Sequence, residues 1–110
     1  MVEVVNLKTC KDFGKPGDVY IGRRFGKYPS SKWGNPYILR NDTDQEREKC
    51  IKYYIEYFEI QEHAGYLNIS ELKDAVRLGC WCKPRSCHGD YLKKRIEKYN
   101  EEHKDETINR

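Results

Sequence analysis

The sequence predicts an α/β fold, with a small parallel or mixed sheet flanked by helices. It predicts a single compact domain over residues 1–100, followed by a polar, frayed C-terminal tail over 101–110. Three observations lead there. A short β-branched run lies near the start of the chain, and a short buried strand-like run lies near residue 80. Segments with helical hydrophobic spacing lie between and after them. The resulting order is strand, strand, loop, helix, helix, strand, helix. Helical crossovers between strands favour a parallel or mixed sheet covered by helices. A chain of 110 residues also has the length of one domain.

Each element has a local reason. Val2-Glu3-Val4-Val5-Asn6-Leu7 is short and β-branched and reads as a strand. Phe13-Gly14-Lys15-Pro16-Gly17-Asp18 is turn chemistry, in which Gly permits unusual φ and Pro fixes it. Val19 to Arg23 reads as the second strand. From Arg24 to Asn41 no helical period appears, so a long loop is expected, with a short extended piece at Tyr37-Ile38-Leu39. Thr43-Asp44-Gln45-Glu46 matches a capping box, in which Thr and Glu cap each other's amides. The helix it opens aligns Ile51, Tyr54, Ile55 and Phe58 in one stripe and ends near His63-Ala64-Gly65, with Cys50 packing beside the stripe. Ser70 can cap a shorter helix with Leu72, Ala75 and Val76 inward. Leu78 to Cys82 reads as a buried strand stopped by Pro84. A last helix starts between His88 and Asp90 and buries Leu92, Ile96 and Tyr99.

Composition narrows the class. Charged residues make up 35% and hydrophobic residues 37%, which is polar, but the 13% aromatic content argues against disorder. The net charge of +3 does not by itself indicate a nucleic-acid binder. Basic residues gather between Lys8 and Arg40, whereas most acidic ones come later. No apolar run approaches the roughly 20 residues that cross a bilayer, and Met1-Val2-Glu3-Val4-Val5 lacks the basic start of a signal peptide. The expectation is no membrane partner and a reducing cytoplasm. There the five cysteines read as thiols, metal ligands or reactive groups rather than disulfides.

In parallel sheets ligands bind at the carboxyl ends of the strands. Two segments reach that edge here. The first is Cys80-Trp81-Cys82-Lys83-Pro84-Arg85-Ser86-Cys87-His88-Gly89-Asp90. Cys80 and Cys82 lie two apart on a strand and face one way, with Trp81 facing the other. Cys87, His88 and Gly89 fall where a helix begins, and free amides there favour an anion or a thiolate. Lys83 and Arg85 add positive charge, which lowers a thiol pKa.

Four readings of this turn compete. In the first, amides from Arg85 to Gly89, with Ser86 and Arg85, cradle a phosphate or carboxylate. In the second, Cys80, Cys82, Cys87 and His88 hold zinc or an iron–sulfur cluster, although C-x-C-x4-C-H departs from the paired C-x2-C spacing. In the third, Cys87 is a catalytic thiolate with His88 or Asp90 as its partner. The C-x5-R loop of cysteine phosphatases is absent, because Arg85 comes one residue too soon after Cys80. In the fourth, Cys80 and Cys82 are small core hydrophobes and Asp90 is a first-turn helix charge.

The second segment is the basic loop. Gly22 at a strand end lets a ligand approach the backbone, and Arg23 and Arg24 can grip phosphate in a bidentate manner. The Trp33 indole can stack on a base and Asn35 can read a polar edge. Alternatively Trp33 anchors the core and Asn35-Pro36 is a structural turn.

The set Val19-Tyr20-Ile21-Gly22-Arg23, Trp33-Gly34-Asn35-Pro36 and Cys80-Trp81-Cys82-Lys83-Pro84-x-x-Cys87-His88-Gly89-Asp90 resembles the uncharacterised family called domain of unknown function 4326, of bacteria, archaea and phages. The resemblance runs from about Val4 to Asn100. The Cys87-His88 step is also similar to a Cys-His-Arg element of another uncharacterised α/β family, with Gly89 where that element has arginine. Both imply a cysteine at a strand-to-helix turn and leave its chemistry open.

The leading expectation is therefore a site for a nucleotide-like or other phosphate-bearing small molecule, with thiol chemistry as an addition. Arg23, Arg24 and Arg85 would neutralise charge, the Ser86 to Gly89 amides would cradle it, and Trp33 would stack. A metal module on Cys80, Cys82 and Cys87 is one alternative. Nucleic-acid binding by the basic first segment, with Tyr28, Trp33 and Tyr37, is another.

Overall fold

The computed structural model describes residues 2–82, 85 and 87–104. Lys83, Pro84, Ser86 and the expected tail over 105–110 lie outside the described residues. The elements are β1 (Glu3–Asn6), β2 (Asp18–Tyr20), α1 (Asp44–His63), a short 3-10 helix (Ile69–Leu72), β3 (Arg77–Cys80) and α2 (His88–Glu102).

The three strands form one parallel sheet in the order β1-β3-β2. A central strand in a parallel sheet is covered on both faces, and Leu78, Gly79 and Cys80 of β3 are all buried. Val4 and Val19 flank Leu78 from the two sides. Gly79 is required by packing, since a Cβ there would lie 2.6 Å from the Phe13 ring. Tyr54 and Phe58 of α1 and Leu92 and Ile96 of α2 bury fully against Ile21 and Leu78 to make the core.

Asp18 and Arg77 tie together the amino ends of β2 and β3. The Arg77 guanidinium donates to both Asp18 carboxylate oxygens, at 2.8 and 2.6 Å. Asp18 Oδ2 also accepts from the Gly14 and Lys15 amides, each at 2.9 Å. One carboxylate thus fixes the Gly14–Gly17 turn and the strand start together.

Some local expectations change. Thr43 does cap α1, accepting from the Glu46 amide at 3.2 Å. The return half of the box is absent, because Glu46 accepts from the Arg40 amide and Asn41 takes the Thr43 amide. The second helix is only a 3-10 turn, capped by Asn68 rather than Ser70. Val76 lies past that turn and is 52% exposed, because its backbone is already turning into the sheet to bond Gly17. Tyr37–Leu39 forms no strand. Helix α2 runs on to Glu102, beyond the expected end of the domain.

Candidate functional site

The carboxyl ends of β2 and β3 open onto a cavity of about 320 Å³. Three pieces of chain build it. Gly22 and Arg23 follow β2, and Trp81 and Cys82 follow Cys80 of β3. Cys87 and His88 start α2. The opposite wall comes from the long loop, through Asn35, Tyr37, Ile38 and Leu39, and from Arg47, Cys50 and Ile51 of α1. Both segments expected at this sheet edge therefore meet in one place.

Arg23 is exposed at the mouth and organises the loop wall. Its Nε and Nη2 donate to the Asn35 carbonyl at 3.4 and 3.3 Å, and Nη2 donates to the Tyr37 carbonyl at 2.6 Å. These acceptors are neutral, so the guanidinium keeps its charge. Among the described residues Arg23 pairs with no carboxylate, and no bond engages Nη1. The Asn35 side chain is structural: it donates to the Cys50 carbonyl at 3.2 Å and accepts from the Tyr37 amide at 2.9 Å, pinning the loop to α1.

At the floor, three thiols converge. The sulfurs of Cys80 and Cys87 are 3.6 Å apart. Cys82 and Arg47 line the same cavity beside them. The expected strand stops at Cys80, so Cys82 lies past its end, yet it lines the same cavity. Trp81 turns away from the thiols: its ring centroid lies 4.7 Å from that of Phe25, and its N–H donates to the Tyr20 hydroxyl at 3.0 Å.

Hydrogen bonds from Cys80, then Cys87, and then the Arg47 cation outweigh burial and hold the Cys82 thiol far below the ordinary thiol range. The same contacts push Cys87 the other way: bonding to Cys80 and Cys82, together with burial, raises it strongly. The two thiols are thus drawn apart, Cys82 downward and Cys87 upward. Among the described residues, no group of three or more His, Cys, Asp or Glu side chains is placed to hold a metal ion. The partner that Cys82 has instead is a cation of the chain, Arg47.

His88 is buried, and burial lowers its imidazole below the usual histidine range. It is therefore neutral near pH 7. Nε2 lies 2.7 Å from the Ile21 carbonyl, an acceptor only, so the proton sits on Nε2 and the lone pair on Nδ1. The Tyr54 ring meets the imidazole edge-on at 4.8 Å.

Several expected site residues have other tasks. Trp33 is 5% exposed, lies against Phe58 with centroids 6.2 Å apart, and accepts at its carbonyl from Tyr54; it is a core anchor and is not available to stack on a base. Arg85 is held by Asp42 and Asp44, each at 2.9 Å, and lies off the cavity wall. Its amide donates to the Cys82 carbonyl. The Cys87 amide donates to the Asp90 carboxylate at 3.2 Å, so Asp90 already supplies the anion at the helix start. Gly89 is buried because a Cβ there would come within 2.9 Å of both Val4 and Ile21; close packing, not ligand approach, requires it. Arg24 is exposed and does not line the cavity. Ser86 lies outside the described residues.

Arg47, the apolar wall of Ile38, Leu39 and Ile51, and the cavity-facing role of Cys50 were not anticipated. One signal was present. Arg47, Cys50, Ile51 and Tyr54 stand at i, i+3, i+4 and i+7, so an arginine continues the buried stripe of α1. An arginine in line with core positions needs a partner, and Arg47 donates to the Asp42 carboxylate at 2.9 and 2.6 Å.

No helix among the described residues is long and apolar enough to cross a membrane. No curated protein and no solved structure matches the chain. The model of one family, the Domain of unknown function (DUF4326), matches residues 5–98. Nearly the whole of the sheet and both helices fall within that span, and the chain belongs to this family.

Proposed function

We propose that the cavity at the carboxyl edge binds a nucleotide-like or other phosphate-bearing small molecule. The observation that carries this reading is its lining among the described residues, which has two guanidinium groups, Arg23 and Arg47, and no carboxylate. Arg47 is already matched by Asp42 and Cys82. Among the described residues Arg23 meets no carboxylate, and its Nη1 makes no hydrogen bond, which suits an anionic oxygen. Ile38, Leu39 and Ile51 offer an apolar wall for a ring, as small-molecule sites commonly do.

Calorimetry with nucleoside monophosphates and inorganic phosphate tests it. Saturable binding is expected, weakened about 10- to 100-fold by Arg23→Ala, the range of a charge-assisted hydrogen bond. Arg85→Ala should leave affinity unchanged, because that side chain faces Asp42 and Asp44. Absence of saturable binding, or equal affinity in Arg23→Ala, removes the proposal.

A second reading, single-stranded nucleic acid, is favoured by a separate surface. Phe25 is 61% exposed beside Trp81, and Lys27 lies 5.5 Å over the Tyr28 ring. Aromatic ledges edged with cations suit stacked bases. This reading requires binding that weakens steeply with salt and is reduced by Phe25→Ala.

A further inference from the structure

We propose that the three converging thiols form a thiol–disulfide exchange centre, in which Cys82 attacks a small-molecule disulfide and Cys87 resolves the product. The proposal shares the cavity described above but does not depend on a phosphate ligand.

The geometry assigns the roles. Cys80, Cys82 and Cys87 all line one cavity, with the Cys80 and Cys87 sulfurs 3.6 Å apart. Cys82 is half-buried, whereas Cys80 and Cys87 are 2% and 4% exposed, so an entering molecule meets Cys82 first. Arg47 sits against the Cys82 sulfur and stabilises its thiolate, the form that reacts. Cys10 lies at the other end of the sheet, where Arg77 Nη1 approaches its sulfur at 3.1 Å. Cys50 is buried with its sulfur toward the Ile38 carbonyl.

The resolving thiol is Cys87 rather than Cys80. Cys80 is fixed in β3 opposite Asn6. Cys87 is outside the sheet, at the start of α2, with its sulfur 3.6 Å from that of Cys80.

The step balances. The Cys82 thiolate attacks one sulfur of RS–SR, forming Cys82–S–SR, and RS⁻ leaves with the bonding pair. Cys87 then gives its proton to that RS⁻ and attacks the Cys82 sulfur. The Cys82–Cys87 disulfide forms and the second RS⁻ leaves. The substrate disulfide is reduced by two electrons to RSH and RS⁻, and the protein pair is oxidised.

The full chain is treated with 4,4′-dithiodipyridine, a neutral disulfide, at mildly acidic pH, and thiol release and peptide masses are followed. Wild type should release two equivalents of thiopyridone and yield a Cys82–Cys87 disulfide. Cys87→Ser should stop at one equivalent with the adduct on Cys82, and Cys82→Ser should react at least 10-fold more slowly. Equal rates in Cys82→Ser, two equivalents from Cys87→Ser, or an adduct elsewhere in wild type overturns the proposal. If a variant fails to fold, the pH dependence of Cys82 alkylation in wild type decides. A midpoint well below the ordinary thiol value of about 8.5 supports the centre, and one at that value refutes it. Stoichiometric zinc bound by the three thiols in protein purified without chelators also refutes it. Failure here leaves phosphate binding at Arg23 untouched, since the probe carries no anion.

Discussion

Gly89 and Tyr54 hold the site from behind, and both do so by contact distance rather than by chemistry toward a ligand. At Gly89 an added Cβ would press on Val4 and Ile21 at 2.9 Å each. Gly89→Ala should therefore cost about 1–3 kcal/mol, the usual range for overpacking, read as a lower urea midpoint. Tyr54 is fully buried, and its hydroxyl donates to the Trp33 carbonyl at 2.7 Å while its ring supports His88. Tyr54→Phe removes only the hydroxyl. It should cost about 1–3 kcal/mol, because a buried carbonyl loses its donor, and the same denaturation experiment checks it. Residue types marked the two segments that meet at the cavity but not what each side chain does there. Cys82 and Cys87 look alike in a sequence. They differ here first through their contacts with Cys80 and with each other, and then through Arg47 of α1, which acts on Cys82.

Helix α1 and the Asp18–Arg77 pair carry the stability predictions at the scale of elements. The Thr43 side chain is the cap of α1, so Thr43→Ala should cost about 1 kcal/mol, measured by thermal or chemical denaturation. Glu46→Ala should act chiefly on the Arg40 turn, since Glu46 bonds the Arg40 amide and not Thr43. Asp18 is 2% exposed in its side chain and sits between Arg77 and two loop amides. The Arg77 guanidinium first, then the Gly14 and Lys15 amides, outweigh burial and hold its carboxyl below the usual carboxylate range. The folded value lies below the unfolded one. The contribution is therefore full above about pH 3.9 and is lost as pH falls from there through the folded value. The urea midpoint should drop over that acid range, and Asp18→Asn should flatten the drop; an unchanged slope in the variant would contradict the assignment. Elements were largely legible because their signals are local: β-branched runs, a Thr cap, the glycine after α1 at φ +85°. The failures were non-local. Nothing near Ser70 announces that the chain must leave its helix after one turn to pair Val76 with Gly17.

At the scale of the whole molecule, the sheet separates two charge environments. Its amino edge closes on an internally matched pair, Asp18 and Arg77, while its carboxyl edge leaves Arg23 without a carboxylate among the described residues. Edge placement was readable from strand order, since ligands gather where parallel strands end. The far wall was not, because Tyr37, Ile38 and Leu39 reach the cavity only when Arg23 holds the loop carbonyls. A second cavity of about 300 Å³, between Glu62, Arg95 and Glu102, serves as an internal control, because Arg95 there is matched by Glu62 at 2.5 Å. The most direct measurement is an amide NMR titration of the full chain with a nucleoside monophosphate. Shifts that saturate together at Gly22, Arg23, Tyr37, Arg47, Cys82 and His88 are the predicted result. Shifts centred on Glu62, Arg95 and Glu102, or none at millimolar ligand, would contradict it.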